Sequence, residues 1–297
     1  MLTRPPVVFT RRVHSSSPVV FTRRVHPSHY SEVCQIALGG QAVTTISPKL
    51  FDGLFYNSLV GLREFRQFAF VSAKGGVGKT TLLAAFARRL SGRVALLDLD
   101  FSNPVLNIAL GLDHYRVQEI KGGRFLPLAW EKGEIMSLAF FTAPGGILRQ
   151  PNSDYRTAFI QDLLPRIAWQ PYDWLLIDTA PSISQENEAI LQDLDPESIV
   201  IAGPGPLAEE GTIRTLLFLQ ALKVKLLGVI GNRGFDPGSL AEELGVASLG
   251  SIPEGLPARV PDFTQHKSIR LGQPSWADRL RRSATKLGLR ALVELDG

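Results

Sequence analysis

A single cysteine, Cys34, occurs in 297 residues, which excludes an intramolecular disulfide framework and any local CxxC metal site. Such sparing use of cysteine suits a reducing, cytoplasmic setting. Long apolar runs are missing too: none approaches the roughly 18 to 20 consecutive residues that a membrane-spanning helix requires. The charge excess is small, Lys+Arg 32 against Asp+Glu 28, and it is unevenly placed. No acidic residue precedes Glu32, whereas Arg4, Arg11, Arg12, Arg23 and Arg24 all do. The remainder is close to neutral, so net charge makes no case for specific nucleic-acid binding.

What is present is ordinary for a folded protein. A content of 44% hydrophobic and 20% charged residues supplies one large α/β domain or two small ones. The first 66 residues read differently from the rest. The nonapeptide Pro6-Val-Val-Phe-Thr-Arg-Arg-Val-His14 recurs unchanged at Pro18 to His26, a period of twelve. Solenoid repeats are longer and need about three copies or more, so this is a short tandem duplication. The stretch is rich in Ser, Pro and Arg and holds His14, His26 and His29 without Cys or acidic ligands beside them. Competing readings are a disordered tail or upstream extension, an organelle transit segment, and a basic arm for nucleic acid or anionic lipid. The expected division is an extension over 1–66 and a folded domain over 67–297.

Within that domain, short apolar runs alternate with helix-length segments. Strands are predicted at Gln67 to Ser72, Arg93 to Asp98, Ile135 to Phe141, Trp174 to Asp178, Ser198 to Ala202, Lys225 to Gly231 and Ala247 to Ile252. Helices are predicted directly after the first strand (TTLLAAFARRL) and over Asp154 to Ala168, Ala208 to Leu222 and Gly238 to Leu244. This alternation implies right-handed βαβ crossovers, so the fold class is α/β, a doubly wound, mainly parallel sheet with helices on both faces.

The chemistry begins at the first strand–helix turn, Lys74-Gly75-Gly76-Val77-Gly78-Lys79-Thr80-Thr81. The glycines let the backbone turn tightly and aim several N–H groups at one anion, at a helix N-terminus whose dipole favours negative charge. Lys79 is expected to face ligand or solvent and reach the β/γ-phosphates, with the Thr80 hydroxyl offered to Mg²⁺. A strict GxxxxGK[ST] pattern would place glycine at position 73, where this chain has Ala73 followed by an additional lysine, Lys74.

That xKGGxGK[ST] form resembles the deviant Walker A loop of the MinD/ParA/Mrp ATPases. Asp98-Leu-Asp100-Phe101-Ser-Asn-Pro104 resembles the family's switch I, and Asp173-Trp-Leu-Leu-Ile-Asp178-Thr-Ala-Pro181 its Walker B with switch II. Asn232-Arg233 and Ile252-Pro253-Glu254 are similar to its adenine-contacting turns. The resemblance spans about residues 67 to 293. It implies that the backbone of the loop, Lys79 and Thr81 bind nucleotide, that Thr80, Asp178 and Asp100 serve Mg²⁺, and that Asp100 orients the attacking water. It also implies that Lys74 crosses a dimer interface to the partner's ATP.

The expected activity is slow, Mg²⁺-dependent ATP hydrolysis in an ATP-dependent homodimer that acts as a switch for an unknown protein partner or cargo. Two further readings stand beside it. A MinD-like positioning ATPase would lie peripherally at the membrane. Its C-terminal stripe would be Trp276, Leu280, Ala284, Leu287, Ala291 and Leu295, with Arg279, Arg281, Arg282, Lys286 and Arg290 interleaved. An ordinary packed helix is the preferred reading of that stripe. The second is an Mrp-like iron–sulfur trafficking protein. The middle of the chain resembles Mrp members, yet the CxxC that the carriers place after the Asn strand is missing from Asn232 to Gly238. A cluster would therefore need ligands from a partner.

Overall fold

The computed structural model describes residues 65–112, 115–141, 152–181, 183–255 and 262–271, residues 278 and 282, and the backbone of three strands nearer the N-terminus. Those strands, β1 (Val19–Arg24), β2 (Val33–Leu38) and β3 (Gln41–Ile46), pair antiparallel in that order. They fall within the extension for which no elements were expected, and their β-branched VVFTRR and QAVTTI sequences carry the strand propensity. The first copy of the nonapeptide lies outside the described residues. So, Arg282 apart, does the stripe between Trp276 and Leu295.

The main sheet is built on β4 (Arg66–Val71), β5 (Val94–Asp98), β8 (Leu128–Trp130), β9 (Gly133–Ser137), β10 (Trp174–Asp178), β11 (Glu197–Ala202), β12 (Lys225–Gly231) and β13 (Ser248–Ser251). Their spatial order is β13-β12-β11-β4-β10-β5-β9-β8. All neighbours run parallel except β8 against β9, and β14 (Ile269–Arg270) adds antiparallel to β12. A small hairpin of β6 (Gln118–Ile120) and β7 (Arg124–Leu126) stands apart from this sheet. The strands are near-continuous apolar runs because helices cover both faces.

The helices are α1 (Lys79–Arg89), α2 (Leu106–Ala109), α3 (Ser153–Arg166), α4 (Gln185–Leu194), α5 (Pro206–Ala221) and α6 (Gly238–Leu244). In α1 the apolar residues Leu82, Leu83, Phe86 and Ala87 form one buried stripe, while Arg88 and Arg89 complement the dipole at its C-terminal turn. No helix among the described residues is long and apolar enough to cross a membrane.

The predicted strand at Ile135 to Phe141 stops at Ser137 and turns into a 3₁₀ segment over Leu138–Phe141. The Ser137 hydroxyl accepts the Ala139 N–H at 3.1 Å, which diverts the backbone from the ladder.

A C-terminal segment, 262–271, closes the sheet beneath α1. Phe263 is fully buried, its ring 3.8 Å from that of Phe86 and edge-on to Phe68. Arg66 grips Glu197 with two bonds of 2.8 Å and donates also to the carbonyls of Thr264 and His266. Burying a side chain the size of Phe contributes on the order of 1.5–3 kcal/mol, so Phe263 is a structural element in its own right.

Candidate nucleotide site

The C-terminal ends of the parallel strands carry the acidic residues. In register, Asp178 of β10 lies beside Asp98 of β5 on one side and Phe70 of β4 on the other. Ligand sites of open α/β sheets form at this end. The 72–78 loop leaves β4 here and enters α1 through Gly78, whose φ of 92° is left-handed. No side chain caps that helix, so its first N–H groups remain available to an anion. A Cβ at position 78 would collide with the Asn232 amide nitrogen, so glycine is required there on two counts.

Lys79, Thr80 and Asp178 meet at one point. The Lys79 ammonium is 2.5 Å from Asp178 Oδ1 and also donates to the Thr179 carbonyl. The Thr80 hydroxyl donates to Asp178 Oδ2, also at 2.5 Å. Of the two surroundings expected for Lys79, ligand or solvent, bulk solvent is the one the structure corrects, since the side chain is only 6% exposed. The correction has a simple cause: an ammonium taken out of water keeps its charge by pairing with the carboxylate beside it. The Thr179 hydroxyl in turn donates to the Phe70 carbonyl at 2.8 Å, fixing β10 against β4.

Asp98 and Asp100 divide the second strand's work. Asp98 is fully buried; its Oδ2 accepts from the Ser137 hydroxyl at 2.8 Å and the Leu106 N–H at 3.1 Å. Burial, then the nearby Asp178 charge, pushes its carboxyl up to about 7 from 3.8, against the hydrogen bonds that favour the anion. Asp100 accepts the N–H groups of Ser102 and Asn103 on Oδ1, at 2.8 and 3.1 Å. Its carboxyl is raised by burial, partly offset by those bonds and by Lys79. The Leu99 N–H donates to the Asp178 carbonyl, joining the two acidic segments.

The remaining predicted residues spread around this centre. Lys74, Gly75, Gly76 and Thr81 are exposed, and Val77 is buried. Asn232 is buried beside the loop and donates to the Val77 carbonyl at 2.7 Å. Arg233 and Pro253 are exposed; their turns are held together by the Gly234 N–H on the Ile252 carbonyl and the Ile252 N–H on the Gly231 carbonyl. Sequence reading missed Ser137, Thr179, Asn187 and Thr215. Asn187 secures the backbone that follows Asp178 by donating to the Ala180 carbonyl at 2.9 Å. Only Thr179, adjacent to Asp178, carried a local signal.

A glycine loop between a buried strand and an uncapped helix, with Lys79 and Thr80 gathered on Asp178 and a second lysine on its lip, has the form of the P-loop of a MinD/ParA-type NTPase. The ParA family model, described as NUBPL iron-transfer P-loop NTPase, matches residues 65–236, and the chain belongs to this family. Among its relatives is an iron-sulfur cluster carrier protein of Rickettsia conorii, 29% identical over a 193-residue alignment that covers 61% of this chain and 59% of that protein. Another is the cytosolic Fe-S cluster assembly factor CFD1 of Eremothecium gossypii, 31% identical over a 224-residue alignment that covers 65% of this chain and 79% of that protein. A nucleotide-binding protein in complex with ADP from Archaeoglobus fulgidus shares the fold, with TM-score 0.54 and 24% identity over 67% of this chain and 90% of that one.

Proposed function

We propose that this chain is a slow, Mg²⁺-dependent ATPase that dimerises with ATP and serves iron–sulfur cluster trafficking, with thiolate ligands supplied by a partner protein. The observation that carries the reading is the Lys79–Asp178–Thr80 grouping at an uncapped helix N-terminus, with Lys74 exposed on the lip of the same loop. Lys79 and the loop N–H groups would hold phosphate oxygens. The Thr80 hydroxyl and Asp178 carboxylate are hard oxygen donors that suit Mg²⁺, which when bound would neutralise charge on the β/γ-phosphates. Asp100 orients the water, and Lys74 from the second subunit completes the charge balance. The names of the relatives favour trafficking over a membrane-positioning role, and those named cytosolic support a cytoplasmic workplace. A cluster is held by several thiolates, and this chain has one cysteine.

Asp100→Ala is expected to keep ATP affinity and to lower turnover by about 10²-fold, because water placement acts on the transition state. Light scattering of that variant should give a dimer in ATP and a monomer in ADP, with Lys74→Ala monomeric in both. Anaerobic reconstitution with iron and sulfide should leave the lone chain without a stable cluster. A pull-down with ATP-locked Asp100→Ala should recover a cysteine-bearing partner. Undiminished turnover in Asp100→Ala, or a dimer indifferent to nucleotide, would sink the switch.

A further inference from the structure

The two halves of the phosphate loop rest on different elements. Its inner half, Lys79 and Thr80, is anchored to Asp178 of β10. Its outer half is held by α5. The Ala73 N–H donates to the Thr215 hydroxyl oxygen at 2.8 Å, and that hydroxyl donates its own proton to the Gly211 carbonyl at 2.7 Å. Thr215 is buried, so its oxygen is committed to these two partners. One turn earlier, Gly211 lies directly against Lys74: a Cβ there would sit 3.4 Å from the Lys74 Cβ and 3.9 Å from its nitrogen. Such a Cβ would make ordinary van der Waals contact, so α5 packs directly on Lys74 and only a larger side chain at 211 would crowd it. The Ser72 hydroxyl holds the Lys74 carbonyl from the other side at 3.1 Å.

We infer that Thr215 is a positioning residue for Lys74: by fixing the 72–73 peptide it sets the direction in which the exposed lysine leaves the loop. The inference rests on the role proposed above for Lys74. Because Thr215 touches the outer half only, its loss should separate two properties that ordinary loop damage would lower together. Own-site nucleotide binding draws on Lys79, Thr80, Asp178 and the N–H groups where the loop enters α1, whereas dimer formation and turnover draw also on Lys74.

The test compares Thr215→Val, which keeps the shape and removes the acceptor, with Thr215→Ser, which restores it. ATP affinity is measured by titration calorimetry at low protein concentration. Dimerisation in ATP is measured by light scattering in the Asp100→Ala background, and kcat in the native one. Thr215→Val should hold ATP affinity within about twofold and lower both dimerisation and kcat about tenfold, the scale of one lost hydrogen bond. Thr215→Ser should recover both. If Thr215→Val does not fold, Gly211→Leu carries the test, since it crowds Lys74 while keeping the threonine bond; it should lower the same two quantities. Wild-type dimerisation and kcat in these variants, while Lys74→Ala loses them, would overturn the inference alone. A parallel fall in ATP affinity and kcat would also overturn it, as general loop damage. If Lys74→Ala behaves as wild type, the inference and the proposed role of Lys74 fall together.

Discussion

Asp178 shares its two oxygens between a cation and a hydroxyl, at the C-terminal end of a strand that is buried on both faces. Removing the cation therefore does more than remove a phosphate ligand. Lys79→Ala should abolish ATP binding and also strand a buried carboxylate beside a second one, Asp98. Losing one partner of a buried pair costs on the order of 3–5 kcal/mol, which urea unfolding of the nucleotide-free protein would measure. Asp98 supplies a pH test. Its carboxyl is raised from 3.8 to about 7 in the fold, so the native state binds a proton that the unfolded chain has already released. The resulting stability is complete below the unfolded value and is lost as pH rises through about 7. Asp98→Asn cannot titrate, so its melting temperature relative to wild type should rise between pH 5 and pH 8, measured without metal or nucleotide. A flat difference across that range would contradict the assignment.

At the scale of elements, the turn after β12 decides where Asn232 sits. A Cβ at Gly231 would overlap the Phe235 carbonyl oxygen and lie 2.7 Å from Pro237 Cδ. Neither is a flexible side-chain end, so Gly231→Ala must move the backbone that aims Asn232 at the Val77 carbonyl. Overpacking of this kind costs about 1–3 kcal/mol; a melt should show that loss, and calorimetry a weaker ATP affinity alongside it. The elements legible in sequence were those with a clear apolar pattern, the largely buried strands and amphipathic helices such as Gly238–Leu244. Trp174–Asp178 and Lys225–Gly231 match their predicted bounds because a strand covered on both faces is an unbroken apolar run. Helix α4 was not read: Glu186 and Asn187 are buried in it, the former paired with Arg156 at 2.6 Å, so polar residues break its apolar stripe. The β6–β7 hairpin escaped for the opposite reason, since all of β6 is exposed. Within the site, Lys79, Thr80, Asp100 and Asp178 were legible from motif order. Thr215 and Ser137 were not, because their partners lie far away in sequence and nothing local marks the hydroxyl that accepts from Ala73 or the one that donates to Asp98.

Over the whole molecule, the aromatic cluster joins β4, α1 and the 262–271 segment. Phe263 contacts Phe68, Phe70 and Phe86, the last on the helix that begins at the phosphate loop. Phe263→Ala should cost about 3–5 kcal/mol, read by urea unfolding. ATP affinity measured well below the transition should change far less. The family match stops at residue 236, ahead of this ring and of the carbonyls that Arg66 grips. The stretch that the family model matches and the stretch that packs around this helix thus end at different places along the chain. A fragment trimmed to the recognisable stretch would retain Lys74, Lys79, Thr80, Asp100 and Asp178 in full, yet the helix behind its loop would face water on the side where Phe263 belongs. It would be a sentence with every keyword and less of its grammar: complete as a motif, and short of the packing that keeps its helix folded.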